Sequence, residues 1–147
     1  DYAYGRDARY EEAVMTGRGA AGWARAASMT AGLGAFLVAA SIGPAKALMN
    51  KLFLPQPGQG PNLEARESGY FDIRLIGKKG PHLVRTRVTA DRDPGYGATC
   101  KMLGESAVCL AKDPLDVAGG SWTPASCMGE KLITRLEQRA GMSFDLL

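Results

Sequence analysis

The stretch Tyr70-Phe71-Asp72-Ile73-Arg74-Leu75-Ile76-Gly77-Lys78-Lys79-Gly80-Pro81-His82-Leu83-Val84-Arg85-Thr86-Arg87-Val88-Thr89-Ala90 decides the fold class. Two runs with side chains alternating between apolar and polar, Tyr70–Gly77 and His82–Ala90, flank Lys78-Lys79-Gly80-Pro81, which reads as a turn. Alternation with period two is the signature of strands with one covered face, so the stretch is an antiparallel hairpin. Pairing Phe71 with Val88, Ile73 with Thr86 and Leu75 with Val84 puts a mainly apolar face toward a core. The other face then carries Asp72 opposite Arg87 and Arg74 opposite Arg85. A slip of one residue would mix the two faces, so the register is well specified. Two arginines set against each other repel unless water solvates them or an anion sits between them. Arg74 and Arg85 are therefore either part of a wet sheet face or a contact for an anionic ligand or an acidic partner surface.

Downstream of the hairpin, Asp93-Pro94 has the form of an N-cap followed by proline at the first helical position. A helix is expected from there through about Ala111, with Leu103, Ala107 and Leu110 as its apolar stripe and Lys112-Asp113-Pro114 as its end. Gly119-Gly120-Ser121-Trp122-Thr123-Pro124 reads as a turn into a second helix over about 125–140, where Met128, Leu132, Ile133 and Leu136 recur at helical spacing. Gly141 is placed as its C-cap, and Met142–Leu147 as a last strand.

Upstream, Ala8–Met15 is a short strand candidate, and about Ala20 to Phe53 reads as two helices, roughly 20–42 and 44–53, broken at Pro44. Leu54–Pro61, with three prolines and two glycines, is a loop. The expected class is α+β: a mixed or antiparallel sheet with a hairpin over about 70–90, covered by helices that include a Gly/Ala-rich helix over about 20–42.

That Gly/Ala-rich helix carries no charge from Ala26 to Ala45. Ala27, Ala31, Ala35, Ala39 and Gly43 recur every fourth residue and form a small-residue stripe, the kind of surface that lets a second helix approach closely. The leading reading is tight packing within the protein or at a homodimer contact. An apolar pocket or lipid-facing surface, and membrane insertion, are the alternatives. Only Leu33, Phe36, Leu37, Val38 and Ile42 in the run strongly favour a bilayer.

Gly17-Arg18-Gly19-Ala20-Ala21-Gly22 spells the dinucleotide fingerprint G-x-G-x-x-G. Its context is wrong: charged Arg9, Glu11 and Glu12 precede it where an apolar strand is needed. Ala39–Pro44 stands where the second strand and its acidic residue should be. A flexible turn into a helix is the expected reading. His82, the one histidine, sits by a Gly-Pro turn and reads as exposed. Cys100, Cys109 and Cys127 have no ligand spacing, so no metal site is expected and the thiols read as reduced.

The 147 residues amount to one ordinary domain, with 46% hydrophobic and 22% charged residues, a globular composition. A net charge of +3, from 18 basic against 15 acidic residues, gives no clustered phosphate-reading face, so no nucleic-acid partner is expected. No secretory signal is visible, and the chain reads as a piece of a longer protein.

Asp93-Pro94-Gly95-Tyr96-Gly97-Ala98-Thr99, the helix through Glu105-Ser106-Ala107, and Gly119-Gly120-Ser121-Trp122-Thr123-Pro124-Ala125 together resemble the tail of saccharopine dehydrogenase-like proteins, a group that includes the trans-acting enoyl reductase type. Thr16-Gly17-Arg18-Gly19, the Gly/Ala-rich helix and the Pro-Gly-Gln-Gly-Pro loop before Tyr70-Phe71 are similar to that group too. The resemblance implies a two-part enzyme: an N-terminal Rossmann half holding NAD(P), absent here, and this segment as a single C-terminal domain on the substrate side. It would cover the cofactor cleft and contribute to an apolar small-molecule substrate site and to a dimer. No catalytic residue carries over, because the group's substrates are diverse. Tyr96 and the turn residues Gly119, Gly120, Trp122, Thr123 and Pro124 are the positions expected near the cleft. On this reading the chain alone is inactive, holds no cofactor and belongs to a cytoplasmic protein. The rival reading is a non-catalytic lipid- or membrane-binding module built on the apolar helix.

Overall fold

A computed structural model describes residues 8–56 and 58–147; Pro57, within the expected loop, lies outside them. The elements in chain order are α1 (Gly19–Ser41), α2 (Gly43–Leu52), α3 (Leu63–Ser68), β1 (Phe71–Lys79), β2 (His82–Ala90), α4 (Gly97–Lys112), α5 (Pro124–Arg139) and β3 (Met142–Leu146). The architecture is the expected α+β. The chain forms two compact units, one over Pro61–Leu147 and one within Ala3–Gly60.

The larger unit is built on an antiparallel sheet in the order β1-β2-β3, with β2 in the centre. Its hairpin closes through two residues, Gly80 and Pro81, rather than four, and Lys79 pairs with His82. Gly80 has φ +57°, the left-handed conformation that a tight two-residue hairpin turn demands at its first central position. This shorter turn moves the register by two residues from the expected one. Phe71 opposes Ala90, Ile73 opposes Val88, Leu75 opposes Thr86 and Arg74 opposes Arg87, while Arg85 opposes Ile76. Arg74 and Arg85 are therefore not cross-strand partners. A two-residue shift preserves the side-chain faces, so the apolar and polar faces remain as expected.

The apolar face is covered only at its base. Phe71 and Val88 pack against the core of Ala90, Ala98, Cys109, Leu132, Leu136, Ala140 and Met142. Farther out, Ile73, Leu75 and Val84 are each about half exposed, against the expectation that the whole face is buried. The reason is reach: α4 and α5 pack on each other, and α5 on β3, at the Ala90–Met142 end of the sheet. The distal hairpin projects beyond them.

Asp93 does not begin α4 directly. Its carboxylate accepts from the Tyr96 and Gly97 backbone N–H groups, capping a turn over Pro94–Tyr96, and the helix starts at Gly97. α5 is capped by Thr123, whose hydroxyl accepts from the Ser126 N–H, with Pro124 at its start, and it breaks at Gly129. α3, capped by Asn62, is six residues long and too short to show an apolar period in the sequence.

In the smaller unit the expected strand over Ala8–Met15 is absent; these residues are irregular and exposed. Arg9, Glu11 and Glu12 leave no apolar face for a sheet to cover. α1 and α2 form with Ile42 between them, one residue ahead of the expected break. Among the described residues no single helix is long and apolar enough to cross a membrane; α1 and α2 reach that composition only together, bent by 113°.

Candidate functional site

The C-terminal end of α4, the loop Asp113–Thr123 and the first turns of α5 line a set of concavities in the larger unit. Arg135 in α5 donates from Nε and Nη2 to the two carboxylate oxygens of Asp113, at 2.6 and 2.7 Å. Its Nη1 donates to Glu105 of α4 at 3.3 Å. One guanidinium thus ties α5 to α4 and to the residue that ends α4, in the two-pronged geometry that makes arginine–carboxylate pairs strong. Lys131 donates to the Pro114 carbonyl and lies 3.9 Å from Asp116, fixing the next stretch of the loop.

The electrostatics follow from this packing. The Arg135 hydrogen bonds hold the Asp113 carboxyl down at about 2, from an ordinary 3.8. The same pairing, with Glu105 adding to it, raises the Arg135 pKa. Burial, with the Asp113 carboxylate beside it, pushes the Cys109 thiol up. Cys109 is fully buried and Cys100 exposed, as a spacing of half a helical period predicts. Cys109 is a small core side chain rather than a nucleophile.

Beside this tether lies an open cavity of about 380 Å³, walled by Leu110, Leu115, Val117, Trp122 and Cys127, with Asp113 and the Gly119-Gly120 backbone at its rim. The Trp122 indole N–H donates to the Ala118 carbonyl at 2.9 Å, which holds the ring across the turn. A second open cavity of about 330 Å³ shares Leu115, Val117 and Cys127. A third, of about 300 Å³, shares Asp113 and is lined by Lys131, Arg135 and Arg139. Through these shared residues the cavities adjoin; Trp122 lines the first, and Lys131 and Arg139 line the third.

The structure brings Gly119, Gly120 and Trp122 together at the apolar cavity. Thr123 and Pro124 serve as cap and first residue of α5. Tyr96 stands apart from these cavities, at the N-cap of α4, half exposed. Arg74 lies 3.8 Å from Asp72, and Arg87 donates to both oxygens of that same carboxylate. The anion between the two facing arginines is thus the chain's own Asp72, whose pKa the Arg87 hydrogen bonds lower. Arg85 sits exposed on the same wet face, opposite Ile76. Sequence reasoning missed the Arg135–Asp113–Glu105 tether, although Asp113 directly before Pro114 was a visible helix end. Among the described residues no His/Cys/Asp/Glu cluster could hold a metal ion.

The Gly17–Gly22 motif does not form a dinucleotide cradle. Among the described residues no strand precedes it, and a Cβ on Gly22 would lie 2.5 Å from the Gly17 carbonyl oxygen. A side chain at Gly22 would thus collide with the backbone at Gly17, so the chain folds back closely on the first turn of α1. Where the fingerprint requires a second strand after its helix, the chain continues into α2.

No family model matches the chain, and no solved structure matches it. Among curated proteins, it is 35% identical over 97% of its residues to a Mycobacterium tuberculosis protein provisionally named a trans-acting enoyl reductase. It is 31% identical over 94% of its residues to a trans-acting enoyl reductase of Mycobacterium ulcerans and 29% identical over 92% to one of Mycobacterium bovis. The match covers 35% of the first relative and 34% of the other two, so the chain spans about a third of the length of the curated relatives it matches. Over nearly all of its residues, the chain is homologous to one stretch of proteins named trans-acting enoyl reductases.

Proposed function

We propose that this chain is the C-terminal, substrate-side portion of a longer NAD(P)-linked oxidoreductase of the trans-acting enoyl reductase kind. The observation that carries the reading is the similarity over 97% of the chain to a third of such a protein. The chain's own glycine fingerprint has no flanking strand among the described residues, so on this reading the nucleotide-binding part lies in the remaining two-thirds. The groove then meets the substrate. Leu110, Leu115, Val117 and Trp122 offer an apolar wall, and Lys131 and Arg139 a cationic end. That polarity suits an unsaturated acyl chain attached to an anionic carrier: the wall removes the chain from water, and the cations attract the carrier.

The test uses the longer protein with this segment in place. Oxidation of NAD(P)H with enoyl substrates of increasing chain length should be measured for wild type and Trp122→Ala. The expected result is turnover in wild type and a KM raised about tenfold in the variant, more for long chains than short, as lost apolar contact requires. Absence of NAD(P)H oxidation with every enoyl substrate would overturn the reading.

A further inference from the structure

The surface of α1 and α2 is the least expected feature of the molecule. Apolar side chains stand in water around the pair: Trp23 is 75% exposed, Leu33 61%, Val38 62% and Phe53 78%. The small-residue positions Ala27, Ala31 and Ala35 along α1 are exposed as well. A helix packing on one protein partner needs one apolar face; a helix apolar all round belongs in surroundings that are apolar on several sides.

Charge identifies those surroundings. From Ala13 to Leu63 there is no acidic residue, and the four cations fall in two pairs, Arg18 with Arg25 and Lys46 with Lys51, bracketing the uncharged run. Exposed Trp23 and Phe53 lie near the same two ends, and exposed Phe36 lies within the run. Tryptophan and cations at the ends of an apolar segment are what the lipid–water interface selects, phenylalanine goes with the apolar segment itself, and anionic headgroups attract the cations. The 113° bend turns the chain back on itself at Ile42-Gly43, so the uncharged tip can go in while both ends stay at the headgroups. From Arg25 to Ile42, α1 extends about 25 Å, less than the roughly 30 Å hydrocarbon core, so the pair enters without crossing. Lys46, one turn past the bend, reaches back to the interface along its own apolar stem.

We propose that the α1–α2 pair is a membrane-docking wedge for the surface of an anionic lipid bilayer. This proposal does not depend on the redox reading.

The test is sedimentation of the full chain with phosphatidylcholine vesicles, with and without phosphatidylglycerol. Trp122→Phe serves as background so that emission reports Trp23. Binding should be favoured by phosphatidylglycerol, weakened by salt, and accompanied by a blue shift of Trp23 emission. Leu33→Ser/Leu37→Ser should lower partitioning about tenfold on vesicles of either composition. Lys46→Glu/Lys51→Glu, at exposed positions that do not disturb folding, should lower it about tenfold on anionic vesicles and little on neutral ones. Absence of binding, or binding that neither double variant changes, overturns the proposal. So does a second copy as the occupant: dimerisation abolished by the serine variant, with no partition into vesicles.

Discussion

Arg135 holds both carboxylate oxygens of Asp113, at 2.6 and 2.7 Å, and so closes the end of α4 against the middle of α5. The core beneath this pair is built partly of small residues, Ala90, Ala98, Cys109 and Ala140. Such side chains bury little apolar area, so the relative placement of the two helices leans on the ion pair. The loop that carries Trp122 begins at Asp113, which connects the tether to the proposed groove.

The tether makes stability depend on acid pH in a defined direction. Asp113 sits at about 2 in the folded chain and at an ordinary 3.8 without its partner. A depressed carboxylate stabilises the fold fully above the unfolded value, and that contribution is lost as pH falls through the folded one. Asp113→Asn should melt several degrees lower than wild type near neutrality, and the difference should shrink as pH drops from about 4 toward 2. Thermal melts across that range check it; a difference that stays constant would mean the pair contributes nothing through its charge.

On the hairpin, exposure rather than strand pattern ranks substitutions. Val88 packs on the core and Ile73, its cross-strand neighbour, is 52% exposed. Val88→Asp should cost about 2–4 kcal/mol, and Ile73→Asp about 1 kcal/mol or less, in denaturant unfolding of this chain. Equal costs would show that the apolar face is covered as far as Ile73.

Two glycines should respond oppositely to alanine. Gly141 ends α5 at φ +68°, and a Cβ there would lie 2.4 Å from the Asp91 carboxylate, which pairs with Lys101 at 3.1 Å. Gly141→Ala should destabilise by about 1–2 kcal/mol, from backbone strain and displacement of Asp91. Gly104, inside α4 with open space around it, should instead gain about 0.5–1 kcal/mol on replacement by alanine. Calorimetry on the two single variants tests the sign of each.

The chain by itself should not bind NADPH in the micromolar range, because among the described residues no strand leads into the glycine motif and α2 stands in place of the second strand. Fluorescence titration of the isolated chain checks this. Micromolar binding would contradict both the disposition of the glycines and the assignment of the cofactor to the rest of the longer protein.

The sequence by itself determined most of the local elements and the faces of the hairpin, but not the six-residue α3, and it offered a strand at Ala8–Met15 that does not form. Alternation from Phe71 to Ala90 specified a hairpin and kept its apolar and polar sides correct even where the register moved, because a two-residue shift conserves side-chain parity. Pro44, Gly119–Pro124 and Gly141 located helix ends to within a residue or two, since caps and breakers act over one turn. Tertiary structure decided what depends on distant partners. The turn at Gly80-Pro81 set which arginine faces which, and Asp72 rather than an outside ligand became the anion between Arg74 and Arg87. The groove beside Trp122 exists because Arg135 reaches back across 22 residues to Asp113, a pairing with no period or spacing to announce it. Local rules fix which way a side chain points; only the packed chain fixes what it meets.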